Sequence, residues 1–391
     1  MPWSETTPMD QKTQFIADYL RQTLDMTELC QMYGISRKTG YKWIGRYLEH
    51  GPQGLEDRSC APIRHPNQTP EAVIEALIQV RQRHPTWGAK KLLAIVEKRH
   101  LDWELPGRST VCEILNRHGL VPRKRRRRVI GHPGKPTAQM LAPNDIWCAD
   151  FKGQFKTGDG IYCYPLTVTD GYSRYLLGCQ GLLSTSSVEA KPVFTRLFKE
   201  YGLPIRIRSD NGVPFATTTL ARLSMLSAWW VRLGILPDLI EPGKPQQNGR
   251  HERMHRTLKA ETTRPPAANR QAQQRKFNRF REEFNHERPH EALDMATPAS
   301  VYVPSRREMP DRLPPLEYPD RFEVRYVSDN GGIRWNKGWV NVSSTCIGEY
   351  VGLEEIDDGV WNVYFGPLKL GRLLERHMRI EDEFGRLKRR G

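Results

Sequence analysis

Three short stretches, far apart in the chain, each carry an acidic residue where a strand or helix would present it. Asp150 lies between two short apolar runs, as a residue on a strand does. Asp210 follows an apolar run and precedes Asn-Gly, so it lies where a strand stops and the chain turns. Glu252 follows Asn248 and Gly249, in the first turn of an expected helix. Spacing alone does not show that these carboxylates meet, so the fold has to bring them together.

Acids of this kind suit a metal site for phosphoryl transfer. Two divalent cations roughly 4 Å apart can activate an attacking oxygen and stabilise a leaving oxygen. Mg²⁺ prefers oxygen ligands and keeps several waters, so one or two carboxylates for each ion suffice. Asp150, Asp210 and Glu252 could supply these ligands.

The three motifs together carry a resemblance to a known family. Asp150, the segment 209–212 and the segment 248–253 resemble the Asp-Asp-Glu (DDE) core of insertion-sequence transposases related to retroviral integrases. The resemblance is close over residues 140 to 300. It implies a ribonuclease-H-like fold, two Mg²⁺ or Mn²⁺ ions, and cutting and joining of DNA strands. It also implies that Asp150 contacts both ions, while Asp210 and Glu252 each hold one.

The spacing of the second and third acids departs from the retroviral pattern. The interval from Asp210 to Glu252 is 252 − 210 = 42 positions, which is longer than in retroviral integrases. We place the excess in residues 220–234, where it could extend a helix. Glu241 and Glu261 remain alternative third acids. Two further acids, Asp170 and Asp145, could be mistaken for metal ligands. Asp170 lies in an expected hairpin turn, so we interpret it as structural.

The charge of the chain favours a polyanionic partner. Its 60 Lys and Arg exceed 45 Asp and Glu, which gives a net charge of +15. The length of 391 residues predicts two to four domains.

Seven scattered cysteines without a Cys-x-x-Cys pair indicate a reducing compartment and no zinc finger. No apolar run reaches about 18 residues, and the first residues lack the pattern of a signal peptide. We therefore expect no membrane partner and a cytoplasmic, nucleoid-associated protein of a prokaryote.

Residues 1–55 are predicted to form a helix-turn-helix domain. Leu29 and Met32 would pack the first helix, Gly34 would make the turn, and Ser36 would cap the second helix. The start of the second helix would meet base edges and phosphates; its candidate DNA contacts are Arg37, Lys38, Thr39, Tyr41 and Lys42. The alternative is an ordinary helical hairpin with a solvated basic face.

Residues 68–120 are predicted to form a second helical, winged-helix-like DNA-binding domain. Its last helix would be capped by Ser109 and stopped by Gly119, with Arg108 and Ser109 at its DNA-reading end. A purely structural bundle is an equal alternative. A basic linker over residues 121–140 follows, whose six consecutive charges would bind phosphates. These are Arg123, Lys124, Arg125, Arg126, Arg127 and Arg128.

The remaining chain is predicted to hold a catalytic core at residues 141–300 and a small SH3-like β-barrel at residues 318–380. In the core, Glu252, His255, Arg256 and Lys259 recur at helical spacing, so one helix face could ligate metal and grip phosphate. In the last segment, alternating apolar residues and a turn at 329–332 indicate strands. The fold class is thus multidomain α+β, with helix-turn-helix modules, a ribonuclease-H-like α/β core and a terminal barrel.

The sequence favours a DNA transposase that binds element ends and catalyses metal-dependent strand cleavage and transfer. Its partners would be double-stranded DNA, at the terminal inverted repeats and the target, and further copies of itself, at least as a dimer. Two alternatives stay open. One is a DNA-binding regulator with an inactive core, and the other is a structure-selective nuclease that cuts without joining.

Overall fold

A computed structural model describes residues 7–59, 68–121, 140–151, 153–241 and 249–382. The chain divides into two compact units, Met1–Gln68 and Thr69–Gly391. In the described residues, no helix combines the length and the apolar character needed to cross a bilayer.

The first unit is a bundle of three helices. They are α1 (Pro8–Arg21), α2 (Met26–Met32) and α3 (Arg37–His50), followed by a 3-10 segment at Gly51–Leu55. Each helix starts after a capping residue whose side chain accepts a backbone N–H of the first turn; the caps are Thr7, Asp25 and Ser36 respectively. Met32, which we expected to pack in this bundle, is exposed. The buried core consists of Phe15, Ile16, Leu29, Cys30, Trp43, Ile44 and Leu55.

Helices α2 and α3 approach each other closely at a glycine. A Cβ added at Gly40 would lie 2.4 Å from Met26 Cε and 2.7 Å from Cys30 Sγ. Gly34, at a φ of 63°, makes the turn between the two helices. This pair of helices joined by a glycine turn is a helix-turn-helix arrangement.

The second unit begins with three helices, α4 (Glu71–Arg83), α5 (Ala89–Arg99) and α6 (Arg108–Arg117). Their shared core includes Leu77, Trp87, Leu92 and Val111. Ser109 does not cap α6 as expected, because the helix begins two residues earlier and Gly107 is its N-cap. The described part of residues 68–121 has no strand that could form a wing.

A mixed sheet forms the centre of the second unit. Its elements are β1 (Ile146–Phe151), β2 (Phe155–Lys156), β3 (Tyr162–Asp170), β4 (Leu176–Leu182), α7 (Ser187–Tyr201), β5 (Arg206–Ser209), α8 (Met225–Arg232) and β6 (Leu236–Leu239). The main strands lie in the order β4-β3-β1-β5-β6. Strands β4, β3 and β1 pair antiparallel, and β1, β5 and β6 pair parallel. The expected ribonuclease-H-like core is therefore present.

Helices cover both faces of this sheet. Trp147 and Ala149 of β1 pack with α7 and α8 in the largest core, whose centre includes Phe194 and Trp230. Helices α9 (Gly249–Thr262) and α10 (Arg270–Glu282) cover the opposite face. Met254 of α9 lies in the core of that face, together with apolar residues of β3, β4 and α10. Because side chains alternate along a strand, Asp150 points to the α9 side.

The long helix predicted across residues 220–233 is instead interrupted. A 3-10 turn at Leu220–Arg222 precedes α8, which begins after the cap residue Ser224. The Ser224 hydroxyl accepts the Ser227 N–H, and Ala221 has a φ of 52° that a helix does not allow.

The closed barrel that we predicted at the end of the chain is not confirmed. A short helix, α11 (Pro298–Val301), precedes seven strands. They are β7 (Glu323–Tyr326), β8 (Gly332–Trp335), β9 (Gly338–Asn341), β10 (Tyr350–Asp357), β11 (Val360–Phe365), β12 (Leu368–Leu374) and β13 (Arg379–Glu381). They form an open five-stranded sheet, β13-β12-β11-β10-β7, and a separate β8-β9 hairpin around one core.

Candidate active site

Two of the three predicted acids lie at the ends of neighbouring parallel strands, Asp150 near the end of β1 and Asp210 directly after β5. Strand β1 pairs with β5 so that Trp147 lies beside Ile207 and Cys148 beside Arg208. Extending this register by two residues brings Asp150 beside Asp210. Neighbouring strands are about 4.8 Å apart, and residues in register point to the same face. Asp150 thus faces α9, and Asp210 follows directly after the neighbouring strand β5.

Asp150 lies in a network of hydrogen bonds that joins the sheet to α9. Thr167 pairs with Asp150 across β1 and β3, and its hydroxyl donates to the Asp150 carbonyl at 3.1 Å. The same hydroxyl lies 2.7 Å from His251 Nε2 and 2.6 Å from His255 Nε2. Thr169 Oγ1 lies 2.9 Å from His251 Nδ1. Two threonines of β3 thus hold two histidines of α9.

The two histidines also approach the carboxylate of Asp150. His255 Nδ1 lies 3.5 Å from Asp150 Oδ2. One ligand atom from each of Asp150, His251 and His255 lies within 4.8 Å of the other two. Within the part of the chain that the structure describes, this is the group that could share a metal ion, and Asp210 and Glu252 stand outside it.

Glu252 lies in the first turn of α9, next to His251. Its side chain is exposed and has no hydrogen bond or ion pair with the residues that the structure describes. Asp210 is half-buried, and its carboxylate accepts the Gly212 N–H at 3.2 Å. Both acids therefore keep lone pairs available for a cation.

The other acids considered as ligands have structural surroundings. Glu261 pairs with Arg288 at 3.2 Å and accepts the Thr86 hydroxyl at 2.6 Å, so it joins α9 to the helical module. Asp170 is buried and accepts the N–H groups of Asn144 and Ser173, while burial raises its pKa. The Asp145 carboxylate accepts two N–H groups of the preceding turn. Glu241 is exposed at the end of a described segment.

The candidate DNA contacts of the first unit lie on one end of α3. Arg37, Lys38, Tyr41 and Lys42 are exposed; Thr39 is half-buried, and its N–H donates to the Ser36 hydroxyl. Lys42 also lies 4.9 Å from the Trp43 ring centroid. The start of α3 is thus a basic and accessible surface.

The candidate contacts of the second unit have mixed surroundings. Arg108 and Ser109 are exposed at the start of α6, and Arg256 and Lys259 are exposed on α9. His255 is only 2% exposed and faces Asp150 and Thr167 instead of solvent. The basic run from Arg123 to Arg128 lies outside the described residues.

Family comparisons agree with this architecture. An integrase core domain profile matches residues 141–245, and a second integrase core profile matches residues 233–298. A helix-turn-helix domain matches residues 11–62, and a homeodomain-like domain matches residues 39–115.

Similar proteins come from bacterial insertion elements and from retroviruses. A 31.7 kDa protein of insertion element IS407 from Burkholderia multivorans is 24% identical over 62% of this chain and 84% of its own length. A 39.2 kDa protein of IS476 from Xanthomonas euvesicatoria is 26% identical over 70% of this chain and 79% of its own length. The Gag-Pol polyprotein of baboon endogenous virus is 29% identical over 48% of this chain, which matches 10% of that polyprotein.

The fold, the acidic site and these matches define a protein with an integrase core and helix-turn-helix DNA-binding domains. Within that class, the resemblance to DDE-type insertion-sequence transposases is confirmed.

Proposed function

We propose that the chain is a transposase that cleaves DNA at the ends of its element and joins those ends to target DNA. The observation that supports this most directly is the parallel β1–β5 register, which would bring Asp150 beside Asp210 if it continued for two more residues. Helix α9 contributes the third acid, Glu252, and is held against Asp150 by His255. The substrate would be double-stranded DNA in the bacterial cytoplasm, gripped by the two helical modules.

The chemistry of the three acids suits a divalent cation. Their oxygens are the ligands that Mg²⁺ and Mn²⁺ prefer, and Glu252 and Asp210 have few competing partners. We propose that Asp150, Asp210 and Glu252 would hold two such ions. Such ions lower the pKa of bound water and neutralise charge on a phosphate.

The chain itself would supply position and charge around that centre. His255 would orient the Asp150 carboxylate, and Thr167 would hold the Asp150 main chain and the His255 ring, since a ligand held by outer contacts keeps its geometry. Exposed Arg256 and Lys259 on the same helix would neutralise phosphates of the bound strand. Because two element ends would react together, we propose that the protein acts as at least a dimer.

The test is a strand-transfer assay with Asp210→Asn. The substrate is duplex DNA carrying the inverted repeats that flank the gene, with Mg²⁺ as the cation. We expect Asp210→Asn to abolish cleavage and joining, because the amide loses the charge that attracts the cation. Sequence-specific binding, measured by electrophoretic mobility shift, should be retained.

The same assay separates the alternatives. Cleavage without joining by the wild-type protein would favour a nuclease, and binding without either reaction would favour a regulator. Joining at the wild-type rate by Asp210→Asn would remove Asp210 from the proposed site. Chelation with EDTA should stop both reactions of the wild-type protein, and added Mg²⁺ should restore them.

A further inference from the structure

Two arginines beside the start of α9 share a single backbone acceptor. Arg174 Nη1 donates to the Gly171 carbonyl at 2.7 Å, and Arg250 Nη1 donates to the same oxygen at 3.2 Å. A guanidinium group of the β3–β4 turn and one of the first turn of α9 therefore lie close together at the same carbonyl. Arginine is rarely neutral in a protein, so the two groups repel each other.

Within the described ranges of the chain, no carboxylate lies at ion-pair distance from this pair. Among the residues that the structure describes, neither Arg174, Arg250 nor Arg253 of the next helical turn forms a salt bridge. Asp170 is the nearby acid, but its oxygens accept N–H groups of Asn144 and Ser173 and the Ser173 hydroxyl. Burial and the neighbouring Arg250 lower the pKa of Arg174 to about 10, while the charge of Asp170 acts in the opposite direction.

The pair lies at a defined place relative to the acidic site. The Gly171 N–H donates to the carbonyl of Ile146, which is four residues before Asp150 on β1. At a rise of about 3.3 Å per residue, the main chain at Ile146, beside Gly171, lies roughly 13 Å from that of Asp150 along the strand. A DNA strand that crosses the site would pass them a few nucleotides from the reacting phosphate, since its charges recur about every 3.4 Å of helix axis.

We propose that Arg174 and Arg250, assisted by Arg253, form a binding site for a backbone phosphodiester of DNA. This inference rests on the proposed function, because it assumes that a DNA strand lies across α9. A phosphate between the guanidinium groups would relieve their repulsion and accept the N–H donors that Gly171 leaves unused. The site would hold the strand in register beside Glu252 without taking part in the chemistry.

The test compares two arginine variants that remove the same charge. Arg250→Gln changes an exposed member of the pair, and Arg279→Gln changes an exposed arginine of α10 that has no side-chain partner among the described residues. Binding of full-length protein to duplex DNA is measured by fluorescence anisotropy in EDTA over a range of NaCl concentrations. Arg174 is half-buried, so the test does not depend on its removal.

We expect Arg250→Gln to weaken binding about tenfold at low salt and to reduce the slope of log affinity against log salt by about 1. Arg279→Gln should leave both values at the wild-type level. Equal slopes for Arg250→Gln and the wild-type protein would overturn the proposal.

A chemical version of the experiment locates the phosphate. Single neutral methylphosphonate linkages are placed in turn along one DNA strand. At one position, the methylphosphonate should weaken DNA binding by the wild-type protein but should not weaken the binding by Arg250→Gln any further. If the methylphosphonate at every position weakens binding by the two proteins equally, the proposed phosphate site is contradicted. Since EDTA prevents catalysis, these outcomes do not depend on whether the protein cleaves DNA, which the strand-transfer assay decides separately.

Discussion

At the scale of single residues, the sequence predicts the three candidate acids but not the contacts of the side chains around them. Asp150, Asp210 and Glu252 are recognisable from their immediate neighbours in the chain. The contacts of His251 and His255 with Thr167 join positions 84 and 88 residues apart, so no local pattern could predict them. Their spacing of four residues on one helix was the available signal, and it indicates only that they share a face.

The role of His255 as a positioning residue can be tested at this scale. We expect His255→Ala to reduce strand transfer by roughly 10- to 100-fold and to raise the Mg²⁺ concentration needed for half-maximal activity. The reason is that the Asp150 carboxylate loses the group 3.5 Å away that orients it. His255→Asn, which keeps a hydrogen-bonding group, should recover part of the activity.

The control for this prediction is His377→Ala, which changes an exposed histidine of the terminal sheet region. Thermal melting and DNA binding are measured for all variants. An unchanged Mg²⁺ requirement in His255→Ala would assign the histidine to packing alone.

At the scale of elements, strands and helices with strong local signals were predictable, and elements set by distant contacts were not. The helix-turn-helix followed from Gly34 and Ser36, and the central sheet followed from its apolar runs. The break before α8 depends on Ser224 capping, inside a segment whose apolar spacing suits one continuous helix. In the last segment the strand pattern was informative, but closure of a sheet depends on pairing that a pattern does not contain.

The close crossing of α2 and α3 makes a prediction about Gly40. We expect Gly40→Leu to destabilise the first unit by roughly 1–3 kcal/mol, because the new side chain would overlap Met26 and Cys30. Gly45→Leu on the same helix is the matched control, since a Cβ there meets nothing within 4 Å and leucine favours helix.

Urea unfolding followed by circular dichroism measures both variants. Binding to specific DNA should fall in Gly40→Leu and persist in Gly45→Leu. Similar unfolding midpoints for the two would contradict a tight crossing at Gly40.

At the scale of the whole molecule, the α4–α6 module is joined to the core by charged contacts within the second unit. Arg83 pairs with Glu287 at 3.1 Å and His84 Nδ1 lies 2.8 Å from Glu283. Lys90 pairs with Glu291 in the same region. These partners come from positions about 200 residues apart, which explains why the sequence indicated two separate segments and not their contact.

Lys91, which follows Lys90 on α5, predicts a dependence of the protein's stability on pH. Burial and the nearby Arg288 lower the pKa of Lys91 from its ordinary value of 10.5 to about 7. Between these values the unfolded chain binds the proton more tightly than the folded protein does. The contribution of Lys91 to stability therefore rises as pH increases from about 7 to about 10.5.

We expect Lys91→Met to flatten the rise of Tm over this pH range relative to the wild-type protein, because methionine fills the half-buried position without a proton to lose. Lys98→Met, at an exposed position on the same helix, should leave the pH profile unchanged. Differential scanning calorimetry gives the profiles. Parallel profiles for wild type and Lys91→Met would show that Lys91 keeps an ordinary pKa.

The histidine–threonine contacts fix both the position of α9 on the sheet and its rotation about the helix axis. Inserting one residue between Glu252 and His255 would swing the carboxylate by about 100° around the helix. Extra residues between β6 and α9 would leave that angle untouched. The 252 − 210 = 42 positions from Asp210 to Glu252 can therefore lengthen or shorten in evolution, while the few residues from His251 to His255 tolerate no change of length.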